Sequence, residues 1–190
     1  MDVAAFIIYR LNMFEAENMP VKISLITTGG TIDKSYDEFE GTLNNRQSQL
    51  KEKICSRLRL PYSQLQIISV INKDSLNFTH GDRAYLLKVI QGQIELGQHI
   101  VISHGTDTMA KTAQFLQDNI GELSVPVVLT GAMRPMGLEG SDAWQNIAEA
   151  LLATKLLPPG VYISFHNRVF QAPHVQKNRV LGTFEYKRSY

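Results

Sequence analysis

Four side chains that could take part in chemistry follow closely on short apolar segments of this chain: Thr31, Ser75, Thr106 and Asp107. The hydroxyl of threonine or serine attacks a carbonyl carbon only when a base removes its proton. A lysine at its usual pKa of about 10.4 is charged and cannot act as that base. A lysine buried beside a carboxylate and other donors could stay neutral and accept the proton. These residue types therefore indicate hydroxyl chemistry on a small ligand.

Other kinds of catalytic site are disfavoured by motifs that the sequence lacks. It contains no GxGxxG dinucleotide fingerprint, no GxxxxGK[ST] phosphate-binding loop and no GxSxG nucleophile turn. The histidines and the single cysteine have no spacing typical of metal ligands. The histidines are His80, His99, His104, His166 and His174. No metal ion or organic cofactor is implied.

The composition is that of a globular protein with one domain of ordinary size. Of the 190 residues, 44% are hydrophobic and the formal net charge is +1, so no charge excess indicates a nucleic acid or membrane partner. The only cysteine, Cys55, excludes an internal disulfide and fits a reducing, cytoplasmic compartment. The apolar stretch Val3–Tyr9 is far shorter than the roughly 20 residues of a membrane span. Residues 1–20 are therefore interpreted as an N-terminal extension, and the absence of a preceding basic residue disfavours a signal peptide.

Apolar segments of strand length alternate with segments of helical period. The predicted strands are Val21–Thr27, Leu65–Ile71, His99–Ser103, Val125–Thr130 and Val161–Phe165. The predicted helices are Gln49–Leu60, a helix capped by Thr79 and Asp82 that runs to about Leu96, Met109–Asn119, and a helix capped by Ser141 or Asp142 that runs to about Leu157. The alternation predicts an α/β fold of three layers, in which helices cover both faces of a doubly wound, mainly parallel sheet of about five strands. Segments 34–45 and 167–190 show no clear period, and the first is interpreted as a loop beside the site.

Four of the predicted strands end in turns rich in Thr, Ser, Asp and Gly. These turns are Thr28–Thr31, Asn72–Ser75, His104–Thr108 and Thr130–Arg134. Because the carboxyl ends of parallel strands lie at the same edge of a sheet, we expect the four turns to meet. Converging polar turns of this kind are typical of a site for a small ligand.

Three motifs carry a resemblance to a known family. TTGGTIDK at 27–34, HGTDTM at 104–109 and LTGAMRP at 129–135 together resemble the bacterial-type L-asparaginase/glutaminase family. Further matches are KDS at 73–75, SDAWQN at 141–146, LPPGVYI at 157–163 and VQKNR at 175–179. The resemblance covers about residues 21–186. It implies a flavodoxin-like or Rossmann-like α/β domain that hydrolyses a side-chain amide to a carboxylate and ammonia through a covalent acyl-enzyme.

The resemblance also implies roles for particular residues. Thr31 would be the nucleophile in the glycine turn, and Tyr36 would be the tyrosine of a mobile loop. Thr106, Asp107 and Lys177 would form a second group, a threonine–lysine–aspartate triad. Each of these residues is carried over by its position in a matching motif or beside one.

The remaining implied roles concern substrate binding. Ser75 would bind the α-carboxylate of the substrate, and Asp107 would bind its α-amino group. Gly30, Gly105 and Ala132 would line the site through their backbone atoms. The substrate implied is a small amino-acid amide, with L-asparagine as the first choice.

The resemblance is to the first domain of such enzymes, and to small single-domain asparaginase-like proteins. Residues 21–190 would form that domain, and the smaller C-terminal domain, which in typical members completes the site of the neighbouring subunit, is expected to be absent. Two functions follow as alternatives: an asparaginase-like amidohydrolase, or a non-catalytic module that binds an amino acid or amide, including a subunit that needs a partner. Self-association into a two-fold homodimer or a higher homo-oligomer is expected to replace the missing contacts.

Overall fold

The structure, a computed structural model, describes residues 19–37, 39, 41–45 and 50–187. Apart from Met19 and Pro20, the predicted N-terminal extension lies outside these residues, as does Gln49. The strands within them are β1 Val21–Gly29, β2 Lys34–Asp37, β3 Thr42–Asn45, β4 Ser63–Lys73, β5 His99–Ser103, β6 Pro126–Thr130, β7 Gly160–Phe165, β8 Arg168–Gln171, β9 Val175–Asn178 and β10 Thr183–Tyr186. The α-helices are α1 Leu50–Arg57, α2 His80–Glu95, α3 Met109–Asn119 and α4 Ala143–Leu156.

Six of these strands form one sheet in the order β4-β1-β5-β6-β7-β8. All neighbours from β4 to β7 are parallel, and β8 runs antiparallel to β7 at one edge. The predicted mainly parallel α/β sheet is confirmed. Numbered along the chain, the parallel strands follow the order 2-1-3-4-5 of a flavodoxin-like sheet. The order reverses between β1 and β5, and ligands bind such sheets in the crevice outside the carboxyl ends of the strands at that point.

Helices cover both faces of the sheet and create two apolar cores. On one face, α2 and α3 bring Leu86, Ile90 and Leu116 into the core. On the other face, α1 and α4 bring Ile54 and Ile147 into the second core. The central strands of the sheet lie between two helical layers. They are therefore apolar on both faces, which is typical of parallel strands, and do not alternate between apolar and polar residues.

Two segments that showed no clear period contain short strands. Residues 34–45 include the antiparallel pair β2–β3, so the interpretation of this segment as a loop is wrong. Residues after 167 include β8 and the hairpin β9–β10. Each of these strands has four residues, which is too few for a two-residue alternation to stand out in the sequence.

Local sequence accounts for the ends of two helices. Thr79 and Asp82 form the predicted capping box of α2: the Thr79 hydroxyl oxygen accepts from the Asp82 N–H at 3.1 Å, and the Asp82 carboxylate accepts from the Thr79 N–H at 2.8 Å. Helix α1 ends at Arg57 rather than at the predicted Leu60. Leu60 precedes Pro61, and a residue before proline is disfavoured in the helical region.

At the start of α4, the two predicted caps behave differently. The Ser141 Oγ accepts a hydrogen bond from the Ala143 N–H at 3.1 Å. Asp142 occupies the cap position, but its side chain accepts no capping hydrogen bond from the backbone of the helix, only one from the Asn146 Nδ2 at 2.9 Å. Its carboxylate is directed instead towards the turn that follows β6.

Candidate active site

The turns after β1, β4 and β5 are in direct contact at the carboxyl end of the sheet. The Gly30 N–H donates to the Lys73 carbonyl oxygen at 3.1 Å. A Cβ atom added to Gly30 would lie 2.5 Å from the backbone N and Cα of Gly105, and one added to Gly105 would lie 2.6 Å from the Cβ and Oγ of Ser75. Gly30 also has φ +81°, a conformation that favours glycine. Glycine at both positions therefore lets these three turns approach one another.

Thr31 is displayed directly after the glycine turn of β1. Strand β1 is buried from Ile23 to its end at Gly29, and the chain then bends at two glycines with positive φ. Thr31 begins a 3-10 turn, which the buried side chain of Ile32 anchors in the second core. Thr31 is itself half-buried. No hydrogen bond joins its hydroxyl to any other residue that the structure describes.

A second reactive group combines Thr106, Asp107 and Lys177. The Lys177 Nζ donates to the Thr106 Oγ1 at 2.7 Å and to the Asp107 Oδ1 at 3.2 Å. Thr106 is buried, and the lysine side chain is only 16% exposed. Lys177 lies on β9, opposite Phe184 of β10, whose ring is buried in the core that α2 and α3 cover. The β9–β10 hairpin thus fixes the lysine beside the turn after β5.

Asp107 has a further partner that the sequence did not indicate. The Arg179 Nη2 lies 2.9 Å from the Asp107 Oδ1, the same oxygen that accepts from Lys177. Nothing in the local sequence around Arg179 marks an ion pair with a residue 72 positions away. The guanidinium side chain is 72% exposed, so this pair lies at the open side of the group.

Ser75 lies at the base of the turn after β4. It is 1% exposed, and its Oγ has no hydrogen-bond partner among the described residues. Its carbonyl oxygen accepts from the Thr108 Oγ1 at 2.8 Å, which ties this turn to the turn after β5. Asp74 caps the short helix of Ser75 through the Leu76 N–H and pairs with Lys34 at 3.0 Å. The pKa of Asp74 is lowered, first by the Leu76 N–H and then by Lys34.

A buried relay of hydrogen bonds supports the turn that carries Gly105 and Thr106. The guanidinium Nε of Arg83 donates to the Thr112 Oγ1 at 3.0 Å, and that hydroxyl lies 3.0 Å from the His104 Nε2. The His104 Nδ1 lies 2.9 Å from the Gly105 carbonyl oxygen. Because the Gly105 carbonyl oxygen can only accept, Nδ1 carries the ring proton, and Nε2 of the neutral ring accepts from the Thr112 hydroxyl. Burial, opposed by the Gly105 hydrogen bond, lowers the pKa of His104 to about 4.

The turn after β6 is braced by the start of α4. The Asp142 carboxylate accepts from the N–H groups of Met133 and Arg134 at 2.9 and 3.0 Å, and the His166 Nε2 lies 2.9 Å from it. Burial alone would raise the pKa of Asp142, but these hydrogen bonds outweigh burial and lower it. The carboxylate therefore stabilises the backbone of the turn.

Ala132 lies in this same turn and is 1% exposed. The Asn146 Nδ2 donates to the Gly131 carbonyl oxygen at 2.9 Å. The Met136 N–H, just beyond the turn, donates to the Ile32 carbonyl oxygen at 3.3 Å. The fourth turn thereby contacts the 3-10 turn that begins at Thr31, and all four polar turns belong to one rim.

The structure places Tyr36 apart from the other predicted site residues. It lies on β2, and 59% of it is exposed. Its hydroxyl is 4.0 Å from the position that a Cβ of Gly41 would take, near the turn of its own hairpin. No described hydrogen bond joins Tyr36 to Thr31, Thr106 or Lys177.

A cavity of about 410 Å³ opens beside Asp107 and Lys177. It lies between α3 and the segment that leads into β9. The side chains around it include the cations Lys111, Lys177, Arg179 and Lys187, together with His174. The small apolar side chains that line it are Ala110, Ala113, Ala172, Pro173 and Val175.

Two kinds of feature are absent from the described ranges. No group of three or more His, Cys, Asp or Glu side chains there is arranged to hold a metal ion. None of the helices described is both long enough and apolar enough to cross a membrane.

The fold and the site together define a class of protein. The crevice at the reversal of strand order lies between β1 and β5, and the turns at the ends of these strands carry Thr31 and Thr106. This is a doubly wound α/β domain with a hydroxyl-rich site at its topological switch point.

Known proteins share this arrangement. The family model described as "Asparaginase, N-terminal" matches residues 22–185. An L-asparaginase from Bacillus licheniformis is 33% identical over 84% of this chain and 50% of its own length, and a glutamyl-tRNA(Gln) amidotransferase subunit from Methanococcus vannielii is 31% identical over 84% and 37%. The solved structure of the thermostable L-asparaginase from Thermococcus kodakarensis matches with a TM-score of 0.80 and 28% identity, over 87% of this chain and 51% of that one.

The chain therefore belongs to the asparaginase family and matches its N-terminal part. It spans about half the length of the L-asparaginases it matches, 50% of the Bacillus protein and 51% of the Thermococcus chain. The family resemblance and the fold class predicted from the sequence are confirmed. The roles of the individual site residues stay predictions.

Proposed function

We propose that this protein hydrolyses the side-chain amide of a small amino acid, with L-asparagine as the first substrate to test. The observation that carries the proposal is the contact of 2.7 Å between the Lys177 Nζ and the Thr106 Oγ1, beside the turn that displays Thr31. Relatives named L-asparaginase support the reaction class. Amide hydrolysis needs an activated hydroxyl, and a lysine in contact with a threonine is one way to provide it.

In the proposed reaction, a threonine hydroxyl oxygen bonds to the amide carbonyl carbon, and the carbon–nitrogen bond then breaks. The hydroxyl proton leaves with the nitrogen as ammonia, and water hydrolyses the acyl-threonine to free the carboxylate and restore the hydroxyl. Thr31 is the first candidate for acylation because its hydroxyl is bonded to none of the described residues. Thr106 is the second, and the Lys177 Nζ, 2.7 Å from its hydroxyl oxygen, is the group proposed to take up its proton.

Other residues of the rim would hold the substrate. The Ser75 hydroxyl is buried without a partner in the described part of the chain, so it could donate a hydrogen bond to a substrate carboxylate. Gly30, Gly105 and Ala132 would offer backbone atoms at close range. Tyr36, on the hairpin that follows Thr31, is proposed to cover the bound substrate.

The test is release of ammonia from L-asparagine and L-glutamine by the purified protein and by Thr31→Ala and Thr106→Ala. We expect each variant to lose activity by about 100-fold or more, since each removes a reacting or activating group. Ser56→Ala, which removes an exposed hydroxyl from α1, is the matched control. Wild-type protein that releases no ammonia from asparagine, glutamine or related amides would end the proposal.

A second function is binding without turnover. One observation favours it: no base is bonded to the Thr31 hydroxyl among the described residues. One relative is named as a subunit of an amidotransferase, so a subunit that needs a partner is one form of this function. Calorimetry with aspartate and asparagine, run beside the ammonia assay, separates the two, because binding without ammonia release supports the second function alone.

Assembly and location complete the proposal. We propose a two-fold homodimer that covers the open rim of the site, since closed two-fold pairs are the commonest oligomers. Light scattering that gives a monomer at assay concentrations would contradict this. The single cysteine fits a reducing compartment, and we place the activity in the cytoplasm.

A further inference from the structure

The cavity of about 410 Å³ between α3 and the segment that leads into β9 has walls that the proposed reaction leaves mostly unused. Of the candidate site residues, only Asp107 and Lys177 line it. Its volume lies within the range of pockets that hold small molecules. The charge and polarity of its other walls therefore indicate what kind of molecule it takes.

Two lysines of these walls have no counter-ion in the described part of the chain. Lys111 lies on the first turn of α3, and Lys187 directly follows β10. Neither side chain makes a hydrogen bond or an ion pair with any residue that the structure describes. The Lys187 N–H donates to the His174 carbonyl oxygen at 2.7 Å, which ties the segment after β10 to the entry of β9. Both ammonium groups are therefore available to an anion.

The acidic groups around the cavity are already engaged. Asp107 is the only carboxylate in the described walls, and its Oδ1 pairs with Arg179 at 2.9 Å and with Lys177 at 3.2 Å. Two further carboxylates accept hydrogen bonds from glutamine side chains that line the cavity. They are Asp118, bonded to Gln114, and Glu185, bonded to Gln176. The cavity thus has four wall cations against one wall carboxylate, and such a concave surface attracts anions.

The number of cations favours an anion with several oxygens. Arg179 gives one N–H group to Asp107, and a guanidinium has five, so others remain for a ligand. A phosphate monoester carries a charge of about −1.5 to −2 near pH 7 and has three terminal oxygens. Lys111, Lys187 and Arg179 could each hold one of these oxygens. A carboxylate offers only two oxygens and a single charge.

The remaining walls favour a short aliphatic group attached to the phosphate. They are built from small apolar side chains, which are Ala110, Ala113, Ala172, Pro173 and Val175. The described walls contain no Phe, Tyr or Trp ring, so they offer none of the stacking platforms that nucleobases use. A phosphate group fills only part of the cavity, and these side chains leave apolar space for the rest of the molecule.

We infer that this cavity is a binding site for a phosphate monoester with a short aliphatic body, whose phosphate is held by Lys111, Arg179 and Lys187. The aliphatic body would pack against the alanines, Pro173 and Val175. The inference does not rest on the proposed amide hydrolysis, because the hydroxyls of Thr31 and Thr106 take no part in it.

Isothermal titration calorimetry with propyl phosphate tests the site at about 0.1 M salt, where charges act over about 10 Å. We expect saturable binding at millimolar concentration or below. Dimethyl phosphate, a diester with a single charge, and pentanoate, an aliphatic carboxylate, should bind at least about fivefold more weakly. The inference is overturned if propyl phosphate shows no saturable binding below about 10 mM, or if either of the other anions binds as tightly.

Substitutions test whether the two unpaired lysines hold the ligand. Lys111→Gln and Lys187→Gln should each weaken propyl phosphate binding by about fivefold, the size expected for an exposed ion pair. The double variant should weaken it by about 25-fold if the two act independently. Both side chains are exposed, so the fold should persist. Lys88→Gln, on the exposed side of α2, is the matched control. Equal weakening by all three single variants would indicate non-specific attraction and overturn the inference.

Amide NMR on the full chain locates the ligand even where binding is weak. Addition of propyl phosphate should shift the amide signals of the first turns of α3, of residues 172–177 and of Lys187. Shifts confined to the turns of Thr31 and Ser75 would place the ligand among the hydroxyls and overturn the inference. A protein that binds propyl phosphate in the cavity and releases no ammonia supports this inference and rejects only the reaction.

Discussion

The Lys177 Nζ lies 2.7 Å from the Thr106 Oγ1, although 71 residues separate the two in the chain. The threonine follows the central strand β5, and the lysine lies on a separate two-stranded hairpin outside the main sheet. The hairpin has its own anchor in the core, the buried ring of Phe184. The contact therefore joins two independently supported elements at one hydroxyl.

This contact predicts that Lys177→Met lowers amide hydrolysis by about 100- to 10,000-fold, the usual range for loss of a general base or acid. Methionine keeps the length and the apolar stem, so the fold should persist. Ammonia release and circular dichroism measure the two effects. Lys88→Met, on the exposed side of α2, is the control, and activity of Lys177→Met within threefold of wild type would contradict the assigned role.

The relay from Arg83 to His104 predicts different results for two replacements of Thr112. Thr112→Val leaves the buried His104 Nε2 without a partner and removes the acceptor of the half-buried Arg83 Nε–H, and should cost about 2–4 kcal/mol of unfolding free energy. Thr112→Ser keeps the hydroxyl and should cost about 1 kcal/mol. Denaturant unfolding measures both.

Nitrogen NMR of the His104 ring measures its tautomer and so tests this relay. Wild type and Thr112→Ser should show His104 with its proton on Nδ1. In Thr112→Val the preference for that tautomer should weaken, because Nε2 has lost its donor. A histidine tautomer that is identical in all three proteins would show that Thr112 does not orient the ring.

Buried His104 predicts that the free energy of unfolding falls as the pH is lowered from about 6.5 to 4. The folded pKa, about 4, lies below the ordinary value of 6.5, so in this window the unfolded chain binds more protons and stability rises with pH. The loss between neutral pH and pH 4 should be about 3 kcal/mol. Asp74, Asp82 and Asp142 have lowered pKa values and lose their contributions at still lower pH.

Urea unfolding at a series of pH values measures this slope. His104→Gln has no titrating ring. The free energy of unfolding that the variant loses between pH 6.5 and pH 4 should therefore be smaller than the wild-type loss by about 3 kcal/mol. A variant with the wild-type slope would assign the acid sensitivity to other groups.

The contact of the glycine turns predicts that Gly30→Ala and Gly105→Ala both destabilise the protein and abolish activity. A Cβ at either position would meet the neighbouring turn at 2.5–2.6 Å, and Gly30 also has φ +81°. Overpacking at both positions, with backbone strain added at Gly30, should cost about 2–4 kcal/mol. Gly92→Ala in α2 is the matched control: its Cβ would meet nothing within 4 Å, and alanine should stabilise the helix by about 0.5–1 kcal/mol. Thermal unfolding of the three variants gives the comparison, and equal effects at all three positions would contradict the close approach.

Much of this protein could be predicted from its sequence because local patterns carry the information. The alternation of apolar strands with helical periods predicted the parallel sheet, and the pair Thr79 and Asp82 predicted the start of α2. The four polar turns could be expected to meet because parallel strands end at one edge. The motifs around Thr31 and Thr106 indicated the family.

Only the tertiary structure decided how distant segments meet. Three arrangements join residues whose sequence neighbourhoods give no sign of the partner. They are the pairing of Arg179 with Asp107, the relay from Arg83 through Thr112 to His104, and the bonds of the Asp142 carboxylate to the N–H groups of Met133 and Arg134. Four-residue strands such as β9 also escaped prediction, because they are stabilised by pairing and by one buried ring rather than by a long apolar pattern. Periodicity indicates which side chains are buried, whereas the partners of a charged or hydrogen-bonding group depend on the packing of whole elements. The sequence therefore determined the sheet, its turns and their hydroxyls, and the folded chain decided which cations share the carboxylate beside them.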